Sequence, residues 1–201
     1  MRTVYGWIVR GLYKMLICYA FCGSFCTVER SLEALRALKR KGHRLLPVGS
    51  FNFLSTDTRF GRAKEQIGRI EEICDGKMIS TLEDAEPVGP VLKPDLMVIA
   101  PCTGNTLCKL RLGLSDTPVT LAAKAHLRAG KPLLLALASN DALSGNFENL
   151  AALYKRKNVY FVPLCQDDPK NKPYSLVCDF ERIPQAVQAA MEGRQLFPLF
   201  S

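Results

Sequence analysis

The sequence predicts a three-layer α/β domain in which a parallel β-sheet is flanked by helices on both faces. Three observations carry that expectation. The runs Met15 to Phe21, 95–100 and Leu133 to Ala138 are apolar almost without interruption, as strands covered on both faces require. Segments with helical apolar spacing alternate with them. Small polar residues gather just after the apolar runs, where strands of such a sheet present their carboxyl ends to ligands.

Taken in order, Met15 to Phe21 is the first strand, followed by a turn at Cys22-Gly23-Ser24. A helix follows with Val28, Leu32, Leu35 and Leu38 on one face and Gly42 just past its basic end. Leu45 to Val48 is the second strand, and 49–59 reads as a polar loop rich in hydroxyls. A helix spans about Gly61 to Cys74 with Ala63, Ile67 and Ile70 inward, and Lys77 to Ile79 reads as a short strand. The prolines of 86–94 make that stretch irregular. After the strand at 95–100, helices fit Thr106 to Leu112 and Pro118 to Ala129, with Thr117 as N-cap of the second. The strand Leu133 to Ala138 leads into Ser139-Asn140-Asp141. A helix at Phe147 to Lys155, a strand at Val159 to Val162, a polar loop and a helix from Pro184 to Glu192 complete the chain.

A length of 201 residues fits one domain with an appendage, here an N-terminal extension at 1–14 and a domain at 15–201. Arg2, Arg10 and Lys14 interrupt the apolar N-terminus, so no membrane span is expected, and both Met1 and Met15 could start the chain. The charge of +8 comes from 27 basic and 19 acidic residues. It is dispersed apart from Lys39-Arg40-Lys41 and Lys155-Arg156-Lys157, which fall where helices end. A nucleic-acid footprint needs a concentrated basic stripe, so the balance suits an anionic ligand or an acidic protein instead. Eight cysteines in largely apolar surroundings read as thiols in a reducing cytosol. No C-x2-C occurs and only His43 and His126 are present, so no metal site is expected.

Neither a P-loop nor a dinucleotide fingerprint follows the first strand. The Gly23-Ser24 turn could hold one phosphate against a helix N-terminus, or Ser24 or Thr27 could simply cap that helix. Asn105 offers an acceptor and two donors suited to a flavin edge or a carboxylate, or it could bond its own turn. Cys102 has no neighbouring histidine to activate it and reads as an inert thiol. His126, in mid-helix, reads as structural. Arg59, Lys124 and Arg128 are cations able to neutralise an anionic ligand.

The stretch "VIAPCTGNTLCKLRLG" at 98–113 resembles the P-x-S-x-N-T signature of the homo-oligomeric flavin-containing cysteine decarboxylase family, which includes phosphopantothenoylcysteine decarboxylase and flavin prenyltransferase. "SDTPVTLAAKAHLRAGKPLLLALASNDAL" resembles its continuation. Within that group, "GSFCT", "STDTRFG", "AEPVGP", "NVYFVP" and "QDDPKNKPYSLV" are similar, in order over 15–200, to the family of dipicolinate synthase B subunits. The resemblance implies a flavodoxin-like fold and an FMN-type site. Gly23, Ser24 and Thr27 would take the flavin phosphate, with Ser50 and Asn52 beside the ribityl chain or ring. The signature residues Pro101, Cys102, Thr103, Gly104, Asn105 and Thr106 would line the flavin, and Ser139 and Asn140 would close the pocket. Asn105 and Asn140 would be catalytic, with Arg59 at the substrate carboxylates.

It further implies a cytoplasmic location in the mother cell of a spore-forming bacterium and a homo-oligomer, a trimer or a multiple of one. The partner would be the A subunit of dipicolinate synthase, carrying NADP, with which the chain oxidises dihydrodipicolinate, a small dicarboxylate. Two departures keep alternatives open. The decarboxylases carry a catalytic histidine before the signature strand, where this chain has "AEPVGPVLKPD", and their cysteine-bearing flap has no counterpart in "DDPKNKPYSLVCDF". The alternatives are a non-catalytic partner that activates a nicotinamide-dependent A subunit, and a stand-alone flavin decarboxylase or prenyltransferase.

Overall fold

Leu16–Phe21 (β1) can be central because it is buried from Ile17 onward and its one polar side chain, Tyr19, finds a partner inside. In the computed structural model, which describes residues 14–200, β1 runs parallel to Arg44–Gly49 (β2) on one side and Leu96–Cys102 (β3) on the other. Residues 1–13 of the expected 1–14 extension lie outside the described residues. β3 pairs in parallel with Leu133–Ser139 (β4), whose first half pairs in parallel with Val159–Phe161 (β5). The order β2-β1-β3-β4-β5 is that of the flavodoxin-like doubly wound fold.

The sheet has seven strands and is mixed, because Leu164–Cys165 (β6) and Leu176–Cys178 (β7) add an antiparallel ribbon. β7 attaches to Ala138 and Ser139 at the end of β4. This addition departs from the all-parallel expectation. Its strands are two and three residues long, too short to leave a period in the sequence.

Two helical layers cover the sheet. Val28–Arg40 (α1) buries Val28, Leu32, Leu35 and Leu38 as its spacing predicts. The expected polar loop at 49–59 contains a short helix, Phe51–Ser55 (α2), started by Ser50, whose hydroxyl accepts the Phe53 N–H. Ala63–Cys74 (α3) packs on α1 and buries Ala63 and Ile70. The expected strand at 77–79 is only a parallel bridge from Ile79 to Val48. Leu82–Ala85 (α4) begins at a Thr81 cap and runs into a 3-10 turn at Glu86–Val88.

Gly104–Leu112 (α5) starts two residues before its expected beginning, because Thr103 caps it. Pro118–Arg128 (α6) starts at Thr117 with a complete capping box. It packs against α4 and α5, and Phe147–Tyr154 (α7) packs against α5. Ile183–Met191 (α8) lies in the other layer with α1.

One buried polar chain ties α1 to the sheet. Ser31, fully buried, donates to the Ala100 carbonyl at 2.6 Å. That uses its only proton, so Tyr19, whose hydroxyl lies 3.0 Å from Ser31 Oγ, is the donor between them. The anchor sits where β3 changes its register on β4, between Ile99 and Cys102.

His126 is fully buried, and its Nε2 faces the Pro132 carbonyl at 2.9 Å. A carbonyl only accepts, so Nε2 carries the proton, and Nδ1 has no partner among the described residues. Burial lowers its pKa, as it does that of His43, whose Nδ1 accepts the Met15 N–H. Above the unfolded value of about 6.5 both states are neutral and pH has no effect through these groups. Below it the unfolded chain binds protons that the folded chain resists, so stability falls as pH falls. Thermal melts between pH 7.5 and 5 should show this loss. His126→Gln, which can still donate to Pro132, should flatten the slope.

Candidate functional site

Because β1 to β4 are parallel, the strand ends at Phe21, Gly49, Cys102 and Ser139 lie on one edge of the sheet. The four polar clusters expected at strand ends therefore come together. They border two adjoining clefts, of about 970 Å³ and 340 Å³. Gly23 and Thr103 line both and form the ridge between them.

The larger cleft is lined by Ser24, Thr27, Gly104, Ser139, Asn140 and Arg59, all expected site residues. The smaller takes Ser50, Asn52, Asn105 and Thr106. Asn105 and Asn140 thus face different clefts, though both are exposed. Pro101 and Cys102 are buried in the strand end and line neither cleft. Lys124 and Arg128, on α6, line neither cleft as well. The Ala100–Pro101 peptide is cis.

The turn at 23–27 carries two of the expected phosphate-side hydroxyls. Neither Ser24 nor Thr27 caps a helix with its side chain. Thr27 Oγ1 donates to the Ser24 carbonyl at 2.8 Å and reaches Ser24 Oγ at 3.1 Å. Thr27 has one proton, which the Ser24 carbonyl takes at the shorter distance, and Ser24 Oγ borders the larger cleft with no other side-chain partner among the described residues. A Cβ at Gly23 would meet only ordinary contacts, the nearest at 3.5 Å, so packing does not demand glycine there. What a Cβ would fill is space at the junction of the two clefts.

Other hydroxyls at this edge are committed. Thr103 Oγ1 caps α5 by accepting the Thr106 N–H at 3.2 Å. It also donates to Thr106 Oγ1, which in turn donates to the buried Cys22 Sγ at 3.3 Å. Burial pushes the Cys22 thiol up to about 11 and holds Cys102 well above the usual thiol range. Both are therefore neutral and unreactive at ordinary pH, as expected of Cys102. None of the eight cysteines is in a disulfide, and five are buried.

Gly104, at the first turn of α5, fixes the loop after β4. A Cβ there would stand 2.5 Å from Ser139 Oγ and Asn146 Nδ2, and 2.9 Å from Asp141 Oδ1. Those side chains form a directional chain. Arg111 donates to Asn149, Asn149 to Asn146 and Asn146 to Asp141, while Ser139 donates to Asp141 from the other side. Every donor points toward the Asp141 carboxylate, which lines the larger cleft.

Sequence reasoning missed Asp141 as an organiser, although it was in view beside Asn140. It also missed Arg30, Phe60, Asp167 and Lys172, which line the larger cleft from α1, the 56–62 turn and the β6–β7 loop. Only the antiparallel ribbon brings the last two there, and nothing local in the sequence signals it. Among the described residues, no group of His, Cys, Asp or Glu is placed to hold a metal ion, and no helix is long and apolar enough to cross a membrane.

The structure is a doubly wound α/β protein with a cleft at the carboxyl edge of its sheet, the place where such sheets bind ligands. Residues 12–193 match the family model described as Flavoprotein, and the chain belongs to that family. It is 41% identical over 181 residues to the B subunit of dipicolinate synthase from Bacillus subtilis (strain 168), covering 90% of each protein. A crystal structure of the dipicolinate synthase B subunit from Bacillus halodurans matches with a TM-score of 0.86 at 37% identity, covering 93% of this chain and 96% of that one. The dodecameric FMN-dependent UbiX-like decarboxylase from Escherichia coli O157:H7 shares the fold, with a TM-score of 0.61 at 24% identity over 74% of this chain and 80% of that one.

Gly104→Ala should destabilise the protein by about 1–3 kcal/mol, because its Cβ overpacks three hydrogen-bonded side chains. Urea denaturation measures this. A change within experimental error would mean that the loop after β4 is free to move aside.

Proposed function

We propose that this chain is the flavin-binding B subunit of a cytosolic dipicolinate synthase, acting with the A subunit in the mother cell of a sporulating bacterium. The pair oxidises dihydrodipicolinate to dipicolinate, with loss of a hydride equivalent and a proton as the ring becomes aromatic. The near full-length likeness to B subunits of dipicolinate synthase supports the assignment. The observation that carries the flavin reading is the Ser24 hydroxyl, which borders the larger cleft at a turn where neither Ser24 nor Thr27 caps a helix with its side chain.

The residues present fit FMN. Ser24 binds the phosphate, positioned by Thr27, and the Gly23 ridge lets the ligand cross between the clefts. Ser50 is committed to capping α2, which leaves Asn52 as the polar side chain on that wall. FMN, when bound, supplies a two-electron acceptor. Asn105 and Asn140 orient ligand carbonyl or carboxylate oxygens through their amides. Asp141 holds Ser139 by accepting from its hydroxyl. The dodecameric relative suggests that this chain also forms a homo-oligomer, a trimer or a multiple of one.

A second reading rests on a specific observation. Neither cleft is lined by a histidine, and both histidines are held elsewhere, one on Pro132 and one on Met15. A site without a histidine also suits a non-catalytic partner that activates an NADP-carrying A subunit.

The purified chain should bind FMN with a shift in the visible spectrum, and dihydrodipicolinate oxidation should require both subunits and the flavin. Ser24→Asp, which sets a like charge against the phosphate, should weaken FMN binding by about tenfold or more. Absence of FMN binding, with activity dependent on NADP and the A subunit alone, would overturn the flavin reading in favour of the second. Asn105→Ala should lower turnover by about tenfold or more while the melting temperature is unchanged.

A further inference from the structure

Three cations line the larger cleft: Arg30, on α1, lies over the Phe180 ring, 5.1 Å from its centroid, and the other two come from separate loops. The first of these two is Arg59, on a tight turn closed by reciprocal backbone hydrogen bonds between Thr58 and Gly61 at 3.1 Å. The turn is fixed at both ends. Asp57 accepts the Ala63 N–H at 2.8 Å, and Gln66 Nε2 donates to the Phe60 carbonyl at 3.3 Å. At its tip the Arg59 guanidinium lies over the Phe60 ring, 4.8 Å from the centroid. A guanidinium held over a ring still offers its N–H fork to an acceptor, and a carboxylate matches that fork. The stacking also removes freedom that binding would otherwise have to remove.

The second cation is Lys172, from the loop between β6 and β7. Its partner, Asp167, is 3.3 Å away, and both side chains are well exposed, at 50% and 33%. Such a pair contributes little, so Lys172 can exchange Asp167 for a ligand carboxylate at small cost. The loop backbone need not move, because Asp168 holds it through the Asn171 backbone N–H and side-chain amide.

We propose that Arg59 and Lys172 are the specificity-determining pair of the substrate site, each taking one carboxylate of a planar dicarboxylate, with Phe60 as the positioning residue for Arg59. The cleft then prefers a dianion to the matching monoanion. The proposal rests on the reading of a dihydropyridine dicarboxylate substrate and adds to it the partner of the second carboxylate.

Calorimetric titration of the full chain tests it, with pyridine-2,6-dicarboxylate against pyridine-2-carboxylate, in the presence and absence of FMN. The wild type should prefer the dicarboxylate by about tenfold or more. Lys172→Gln should abolish the preference by weakening only the dicarboxylate, and Lys172→Arg should keep it. Arg59→Gln should weaken both ligands, and Phe60→Leu should weaken both less strongly. All these positions are exposed, so melting temperatures should match the wild type and separate recognition from folding. Equal affinity of the wild type for the two ligands, or an undiminished preference in Lys172→Gln, would overturn the proposal. A dicarboxylate preference that persists where FMN does not bind sinks the flavin reading and leaves this pair standing. FMN binding without the preference does the reverse.

Discussion

The approach of the β4 loop to the first turn of α5 is the constraint on which the carboxyl edge depends, and it exists because residue 104 has no side chain. Ser139, Asp141 and Asn146 occupy the volume that a Cβ would need. Their chain of donors, from Arg111 through two asparagines to Asp141, has a carboxylate as its sink, so each bond polarises the next in one sense. A loop held this way gives the cleft a fixed wall without using any group that a ligand needs. The Ser31 link to Ala100 performs the same service on the other side, holding α1, and with it the Ser24 turn, against the end of β3.

The central sheet was legible in the sequence because β1, β3 and β4 are buried on both faces and leave unbroken apolar runs. The gathering of polar groups at the carboxyl edge was legible for a related reason: small polar groups after such runs have no packing role. Long helices with caps, such as α6 behind Thr117, were legible as well. Short elements were not. The five residues of α2 form a helix only because Ser50 caps them and Phe53 is buried, and neither condition has a period. The ribbon of β6 and β7 exists through non-local pairing with the end of β4, and the cleft residues Asp167 and Lys172 depend on it. Legibility failed where position is decided by partners distant in the chain.

Residue type alone also misleads about reactivity. Cys102 sits in the signature segment, yet it is enclosed and its thiol is held far from ionisation. His126 is equally enclosed on α6. The groups that line the clefts at this edge are hydroxyls, amides, cations and the carboxylates of Asp116, Asp141 and Asp167, a set suited to recognising planar polar ligands.

β4 has two different neighbours along its length, the parallel β5 beside its first half and the antiparallel β7 beside its last two residues. The strand is thus a splice point between a doubly wound frame and a grafted hairpin. A hairpin joined at so few positions can be lengthened, shortened or rewritten without disturbing the packing of the parallel strands. In the history of such a protein, the side of the cleft built on the hairpin is free to drift while the side built on the parallel strands stays fixed.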